Sequence, residues 1–324
     1  MVSPGTLSIK VPSKIFLLGE YLVIAGGPAL LAAVHPQFEL VWSENAQGLP
    51  PMPFDPESPA GKLFSQALRD NAGEPNGGLI FKDPHRGVGG LGASSAQFLA
   101  LSQILSLSAK VGQRRFESLK EILIEYIELA TVGGVRPSGA DVAIQWTGGA
   151  ALISGLMGLP LSAPSVTEFR TESQKRVFSK VYVFSAAHKR KVPTHEYLKT
   201  FGAAGVQRFR ESMVPSDLRQ VLESGVSVVR EGDSSTLGLT KLGRAFSEYA
   251  RILEKAELEH PEATRDRLAI EALPGVYGVK GSGALLADLV LVCSENEEEL
   301  MKTASKLSLK LVSKGLDFAP GVRP

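Results

Sequence analysis

Pro12-Ser13-Lys14-Ile15-Phe16-Leu17-Leu18-Gly19-Glu20-Tyr21 sets one lysine inside an apolar run and closes it with a glycine, an acid and an aromatic residue. Read alone, a lysine in a strand-like run serves to keep an exposed strand edge soluble. Two further glycine-rich segments, residues 87–97 and 278–288, give the stretch another meaning.

The second segment, Gly87-Val88-Gly89-Gly90-Leu91-Gly92-Ala93-Ser94-Ser95-Ala96-Gln97, runs into Phe98, Leu101 and Leu105 at helical spacing. A helix therefore starts on the glycines, capped by Ser94 or Ser95. Free amides at a helix start, behind flexible glycines, form a place where phosphate settles. An ordinary cap has the same appearance. Gly87, Gly89 and Gly92 also spell a dinucleotide-binding turn, but that motif needs a strand directly before it and an acid about 20 residues on. Asp83-Pro84-His85-Arg86 separates the glycines from the nearest strand candidate, Leu79 to Phe81. A Walker loop is excluded as well, because no Gly-Lys-Ser/Thr closes the segment.

Arg136-Pro137-Ser138-Gly139-Ala140-Asp141 is turn chemistry, and Val142, Ile144 and Trp146 alternate after it. The expected element is a strand with one carboxylate at its start. Asp141 either bonds its own turn or meets a substrate hydroxyl and orients its proton.

In these segments the chain resembles the GHMP kinases, the family of galactokinase, homoserine kinase, mevalonate kinase and phosphomevalonate kinase. The first motif is similar to Pro12–Tyr21 with Gly26-Gly27-Pro28-Ala29-Leu30, the second to Gly90–Ala96, and the third to Lys280-Gly281-Ser282-Gly283-Ala284. The resemblance implies ATP as donor and Mg²⁺ as cofactor, with Lys14 and Asp141 as the catalytic pair. It implies nucleotide contacts along Gly89, Gly90, Leu91, Gly92, Ala93, Ser94, Ser95 and Ala96. The family pattern is Gly-Leu-Gly-Ser-Ser-Ala, against Gly90-Leu91-Gly92-Ala93-Ser94-Ser95-Ala96 here, so Ser94 and Ser95 both stand as metal ligands. Substrate contacts implied are Glu20, Tyr21, Arg136, Ser138, Gly139, Thr194, Lys280, Ser282 and Gly283. The third motif departs from the family's glycine run: Leu285, Leu286 and Ala287 stand there before Asp288, and their side chains are expected to restrict the loop.

Tyr21 and Asp288 make the chain look more like a phosphomevalonate kinase than a mevalonate kinase. Arg136 and the run His188-Lys189-Arg190-Lys191 would suit a phosphorylated acceptor, arginine gripping phosphate as a bidentate fork, although such a run is also an ordinary solvated face. Thr194, in Lys191-Val192-Pro193-Thr194-His195, resembles a substrate-side motif of the family. A phosphate monoester, with a second pKa of about 6, is already mostly ionised at neutral pH. A true base at Asp141 therefore favours the mevalonate hydroxyl or another alcohol instead. A nucleotide-binding oxidoreductase and a non-catalytic member of the same fold are the rival classes.

A net charge of +1 over 324 residues, 44% of them hydrophobic, argues for an ample core and against nucleic acid as a partner. Single Cys293 excludes an intramolecular disulfide and reads as a buried thiol, which suits a cytoplasmic protein. No secretory signal is expected from Met1 to Ile9. Leu17 to Val34 is apolar, but Glu20 and its glycine and proline breaks argue against a membrane span. The implied partner is a small molecule, the protein acting as a monomer or homodimer.

Strands and helices without regular alternation point to α+β, with a division near 160 in the stretch Gly155 to Ser165. Expected strands are Leu7–Val11, Phe38–Trp42, Val142–Trp146, Lys180–Phe184 and Leu289–Cys293; expected helices span 94–109, 118–130, 214–225, 238–258 and 295–314. The last would be capped by Ser294 with Glu297 and stopped by Gly315. The family resemblance implies residues 1–160 as a domain like ribosomal protein S5 domain 2, and 161–324 as a ferredoxin-like domain, with the site in the cleft between.

Overall fold

The computed structural model describes residues 6–43, 52–69, 78–108, 118–131, 135–157, 161, 163–186 and 194–322. In chain order the elements are β1 (Thr6–Leu18), β2 (Ala29–Ser43), α1 (Pro59–Arg69), β3 (Gly78–Lys82), α2 (Ala93–Ser108), α3 (Leu119–Ala130), α4 (Ala140–Thr147), β4 (Ala150–Ser154) and β5 (Ser165–Phe169). They continue as α5 (Glu172–Arg176), β6 (Val181–Ser185), α6 (Thr194–Glu211), α7 (Val214–Glu231), α8 (Thr236–Lys255), α9 (Pro261–Glu271), β7 (Val276–Ser282), β8 (Leu289–Ser294), α10 (Glu297–Lys306) and β9 (Lys310–Lys314).

The first sheet runs β1-β2-β4-β5, with β3 also paired to β2, all antiparallel. Because β5 pairs with β4, this sheet continues past residue 160 to Phe169, and the chain crosses to the second sheet after it. The second sheet has the order β7-β8-β6-β9. With α6 to α9 between β6 and β7, and α10 between β8 and β9, it is a β-α-β-β-α-β unit, the ferredoxin-like arrangement. The tail returns to the first half, where Phe318 bridges Val34 and Pro320 bridges Gly148.

Two expected elements change type. Residues 142–146 are helical, not extended, because Val142 through Thr147 are buried on every side and no solvent face exists to impose strand alternation. The helix expected over 295–314 ends at Lys306; Ser308 turns through a positive φ of 56°, and Lys310–Lys314 pairs with β6. Its cap is Asn296, whose side chain accepts from the Glu299 amide at 3.2 Å, and Gly315 ends a strand instead of a helix. The helices over Ala93–Ser108 and Leu119–Ala130 match the periodic readings, the second opened by a Ser118/Glu121 capping box. Cys293 is fully buried, and burial pushes its thiol up to about 12. Among the described residues no helix is long and apolar enough to cross a membrane; Leu17 to Val34 is instead the end of β1, a turn, and the start of β2.

Candidate active site

β1 carries Lys14 into the interior, leaving it 5% exposed, so it does not serve a wet strand edge. Its ammonium lies 3.0 Å from Asp141 Oδ1 and 4.8 Å from the centroid of the Phe16 ring, two residues along the same face of the strand. Asp141 stands in the first turn of α4, where the helix dipole favours an anion. The chain reaches that helix through Gly139 at φ 72°, a left-handed N-cap; a Cβ there would lie 2.7 Å from Leu123 Cδ2. The Ser138 hydroxyl accepts from the Ala140 amide at 3.3 Å and steadies the same turn.

These residues border a cavity of about 210 Å³ between the two halves of the molecule, lined also by Glu20, Tyr21, Arg136, Gly283 and Ala284. Arg136 is tethered to the carbonyls of Leu156 (3.1 Å) and Met157 (3.5 Å). Burial and the charge of Arg210 lower its pKa, which places a second guanidinium close by. Arg210 itself donates to the Ile24 carbonyl at 3.0 and 2.8 Å, on the rim of the same cavity.

Lys280 and Ser282 do not line the cavity. Both are fully buried on β7, and Lys280 Nζ donates to Glu20 Oε1 at 2.6 Å from behind. Burial lowers the Lys280 pKa, with Glu20 pulling it partway back. Glu20 Oε2 is buried without a hydrogen-bond partner, and the Tyr249 hydroxyl holds the Glu20 carbonyl at 2.8 Å. The third motif keeps its turn despite the lost glycines: Leu285 and Leu286 take φ values of 50° and 53°, the left-handed region that costs a side-chain-bearing residue about 1–2 kcal/mol. Leu286 is fully buried, while the Leu285 amide donates to Tyr21 Oη at 3.0 Å, so packing and hydrogen bonding hold the strain.

The second motif adjoins the cavity without lining it. The Lys14 amide donates to the Leu91 carbonyl at 3.0 Å, stitching the loop to β1. Gly92 turns at φ 87°, and a Cβ there would meet Lys14 Cγ at 2.7 Å and Gln145 Nε2 at 2.8 Å. Ala96 N–H makes the first helical bond of α2, back to Gly92, so the amides of Ala93 to Ser95 are those a helix start leaves over. Ser95 is buried and donates to Gly92 O at 3.0 Å; Ser94 is exposed. The Asp288 side chain packs on the glycine loop, its carboxylate against Gly89 and its Cβ against Gly90, joining the third motif to the second. Thr194 begins α6, but its side chain and the run 188–191 lie outside the described residues.

The sequence reading missed Gln145, Arg210 and the role of Tyr126 beside the cavity. Tyr126 belongs to the apolar face of α3, and enclosure together with Asp141 raises its pKa. The polar Gln145 within an apolar run was the available signal.

No family model matches the chain, and no curated protein matches it in sequence. Solved structures do. A Lin0012 protein from Listeria innocua is 16% identical, with 97% of this chain and 98% of that chain covered, at a TM-score of 0.71. The Methanococcus jannaschii mevalonate kinase is 16% identical over 95% and 98%, at 0.66. The Streptococcus pneumoniae phosphomevalonate kinase, solved with phosphomevalonate and AMPPNP, is 12% identical over 95% and 98%, at 0.66. At such identities the likeness establishes the fold, and the motif resemblance to the GHMP kinases holds at that level.

Proposed function

We propose that this chain, folded as a GHMP kinase, is an ATP-dependent kinase that transfers the γ-phosphoryl group to phosphomevalonate. The observation that carries the reading is the Lys14–Asp141 pair, open to the cavity on one side and stitched on the other to the glycine loop through the Lys14 amide. The loop and the start of α2 hold the nucleotide phosphates. The acceptor occupies the cavity, where Lys14 and Asp141 orient the attacking oxygen. Positioning and charge stabilisation supply most of the acceleration in such transfers. Arg136 on the lining and Arg210 at the rim bring two positive charges to the cavity, which suits an acceptor with a dianionic group.

Accompanying the nucleotide, a magnesium ion would offset the negative charge of the phosphates during transfer. The residues present fit that arrangement: among the described residues no cluster of three His, Cys, Asp or Glu could hold a metal alone, but Ser94 offers an exposed hydroxyl at the helix start. Magnesium keeps its waters and takes few protein ligands. Ser94, rather than the inward-bonded Ser95, is the hydroxyl for it.

A second reading, mevalonate kinase, is favoured by the directness of the Lys14–Asp141 contact, since an alcohol needs a base more than a phosphate does. A coupled ADP-release assay with phosphomevalonate, mevalonate, sugars and amino-acid alcohols separates the readings. Turnover with phosphomevalonate and little with mevalonate is expected; the reverse selects the second reading, and inactivity with every acceptor defeats both.

A further inference from the structure

We infer that Gln145 is a positioning residue: its side-chain amide sets the register between the glycine loop and the Lys14–Asp141 pair. The inference rests on the kinase reading above.

Gln145 is fully buried, and its Nε2 donates to the Pro12 carbonyl at 2.8 Å and the Gly92 carbonyl at 3.0 Å. Both acceptors matter by location. Pro12 lies two residues before Lys14, at a shift in the β1–β2 register between Val11 and Ser13 where no residue of β2 stands opposite it. Gly92 is the residue from which α2 starts, beside the candidate metal ligand. Gln145 is one turn beyond Asp141 on α4, so the two project from one face of the helix. One amide thus joins the strand bearing the lysine, the helix bearing the carboxylate and the loop assigned to the phosphates.

The orientation has a cost that the fold does not avoid. With Nε2 turned to two carbonyls, Gln145 Oε1 is buried without a hydrogen-bond partner, which native interiors rarely tolerate. An apolar residue of the same volume would escape that cost but would abandon both carbonyls. The two donors are therefore the reason for the residue. A lysine or arginine could supply donors too, but only by adding a cation beside Lys14.

Because phosphoryl transfer depends steeply on the relative placement of donor and acceptor, a loosened register lowers the rate while each ligand still finds its own contacts. The test uses Gln145→Met, which keeps the length and loses both donors, and Gln145→Asn, which keeps the amide but shortens its reach. For Gln145→Met the expectation is a kcat lowered by about 100-fold, with KM for Mg-ATP and for the acceptor close to wild type. ADP released per phosphorylated product should rise above one, as water intercepts the misplaced phosphoryl group. Gln145→Asn should fall between. If Gln145→Met does not fold, the same split in Gln145→Asn decides. Wild-type kcat in a folded variant, or a raised KM at unchanged kcat, overturns the inference alone. A wild-type protein inactive with every acceptor overturns the kinase reading and this inference with it.

Discussion

Two lysine–carboxylate pairs of similar build stand at the cleft, Lys14 with Asp141 at 3.0 Å on its wall and Lys280 with Glu20 at 2.6 Å sealed behind it. Their surroundings separate them. The Asp141 side chain keeps 33% of its surface open on the cavity, whereas those of Glu20 and Lys280 keep 6% and 0%. Both lysines belong to glycine-rich motifs, so motif membership does not tell which one works at the surface of the site. Solvent access does. An ion pair reachable by a ligand can exchange partners during a reaction, while a sealed pair has already spent its desolvation cost on holding two halves of the molecule together. Glu20 follows β1 and Lys280 lies on β7, so the sealed pair ties the wall of one sheet to the other.

Removing the charge from the open pair should give the largest effect. Asp141→Asn is expected to lower kcat by about 10²–10⁴-fold while nucleotide binding, followed by fluorescence titration, survives; near-normal turnover would erase the distinction between the pairs. Breaking the sealed pair should act on stability first. Lys280→Met leaves the Glu20 carboxylate buried and alone, which costs about 3–5 kcal/mol, read from the urea unfolding midpoint. Adding Glu20→Gln should recover most of that loss.

The same pair has a pH signature. Since Lys280 folds with its pKa below 10.5, the unfolded chain binds more protons between the folded value and 10.5. Its contribution to stability therefore grows as pH rises through that window and is lost as pH falls through the folded value. The stability gap between wild type and Lys280→Met should widen with pH there, and a constant gap would argue for an unshifted lysine. Gly92→Ala comes next, crowding Lys14 Cγ and Gln145 Nε2; a cost of about 1–3 kcal/mol is expected, along with slower turnover. Leu285→Gly should do least. Relief of a left-handed leucine is set against the entropy of a glycine, leaving a net change within about 1 kcal/mol in the unfolding midpoint.

Several elements were open to sequence reasoning because local signals and tertiary outcome agreed. The apolar face of Leu119–Ala130 and its capping box mark α3 without reference to anything distant. The run 142–147 did not, and for a definite reason. Val142, Ile144 and Trp146 alternate as a strand would, but the polar Gln145 between them is buried against carbonyls of Pro12 and Gly92. A polar residue satisfied by distant backbone is indistinguishable, in one dimension, from a polar residue satisfied by water. The strand Lys310–Lys314 was lost into a longer helix for a related cause, since only pairing with β6 makes it extended.

What could be known from the chain alone was a set of residue types in order: a lysine in an apolar run, glycines before a helix, an aspartate after a turn, a third glycine-bearing segment with Asp288. Their chemistry is local and travels with the residue. Which of them share a cavity, that Lys280 turns inward while Lys14 turns toward Asp141, and that Gln145 belongs with them, depended on how α2, α4 and β7 pack around β1. Burial and partner distance are properties of the folded whole, set by residues far apart in the chain, and no local pattern encodes them.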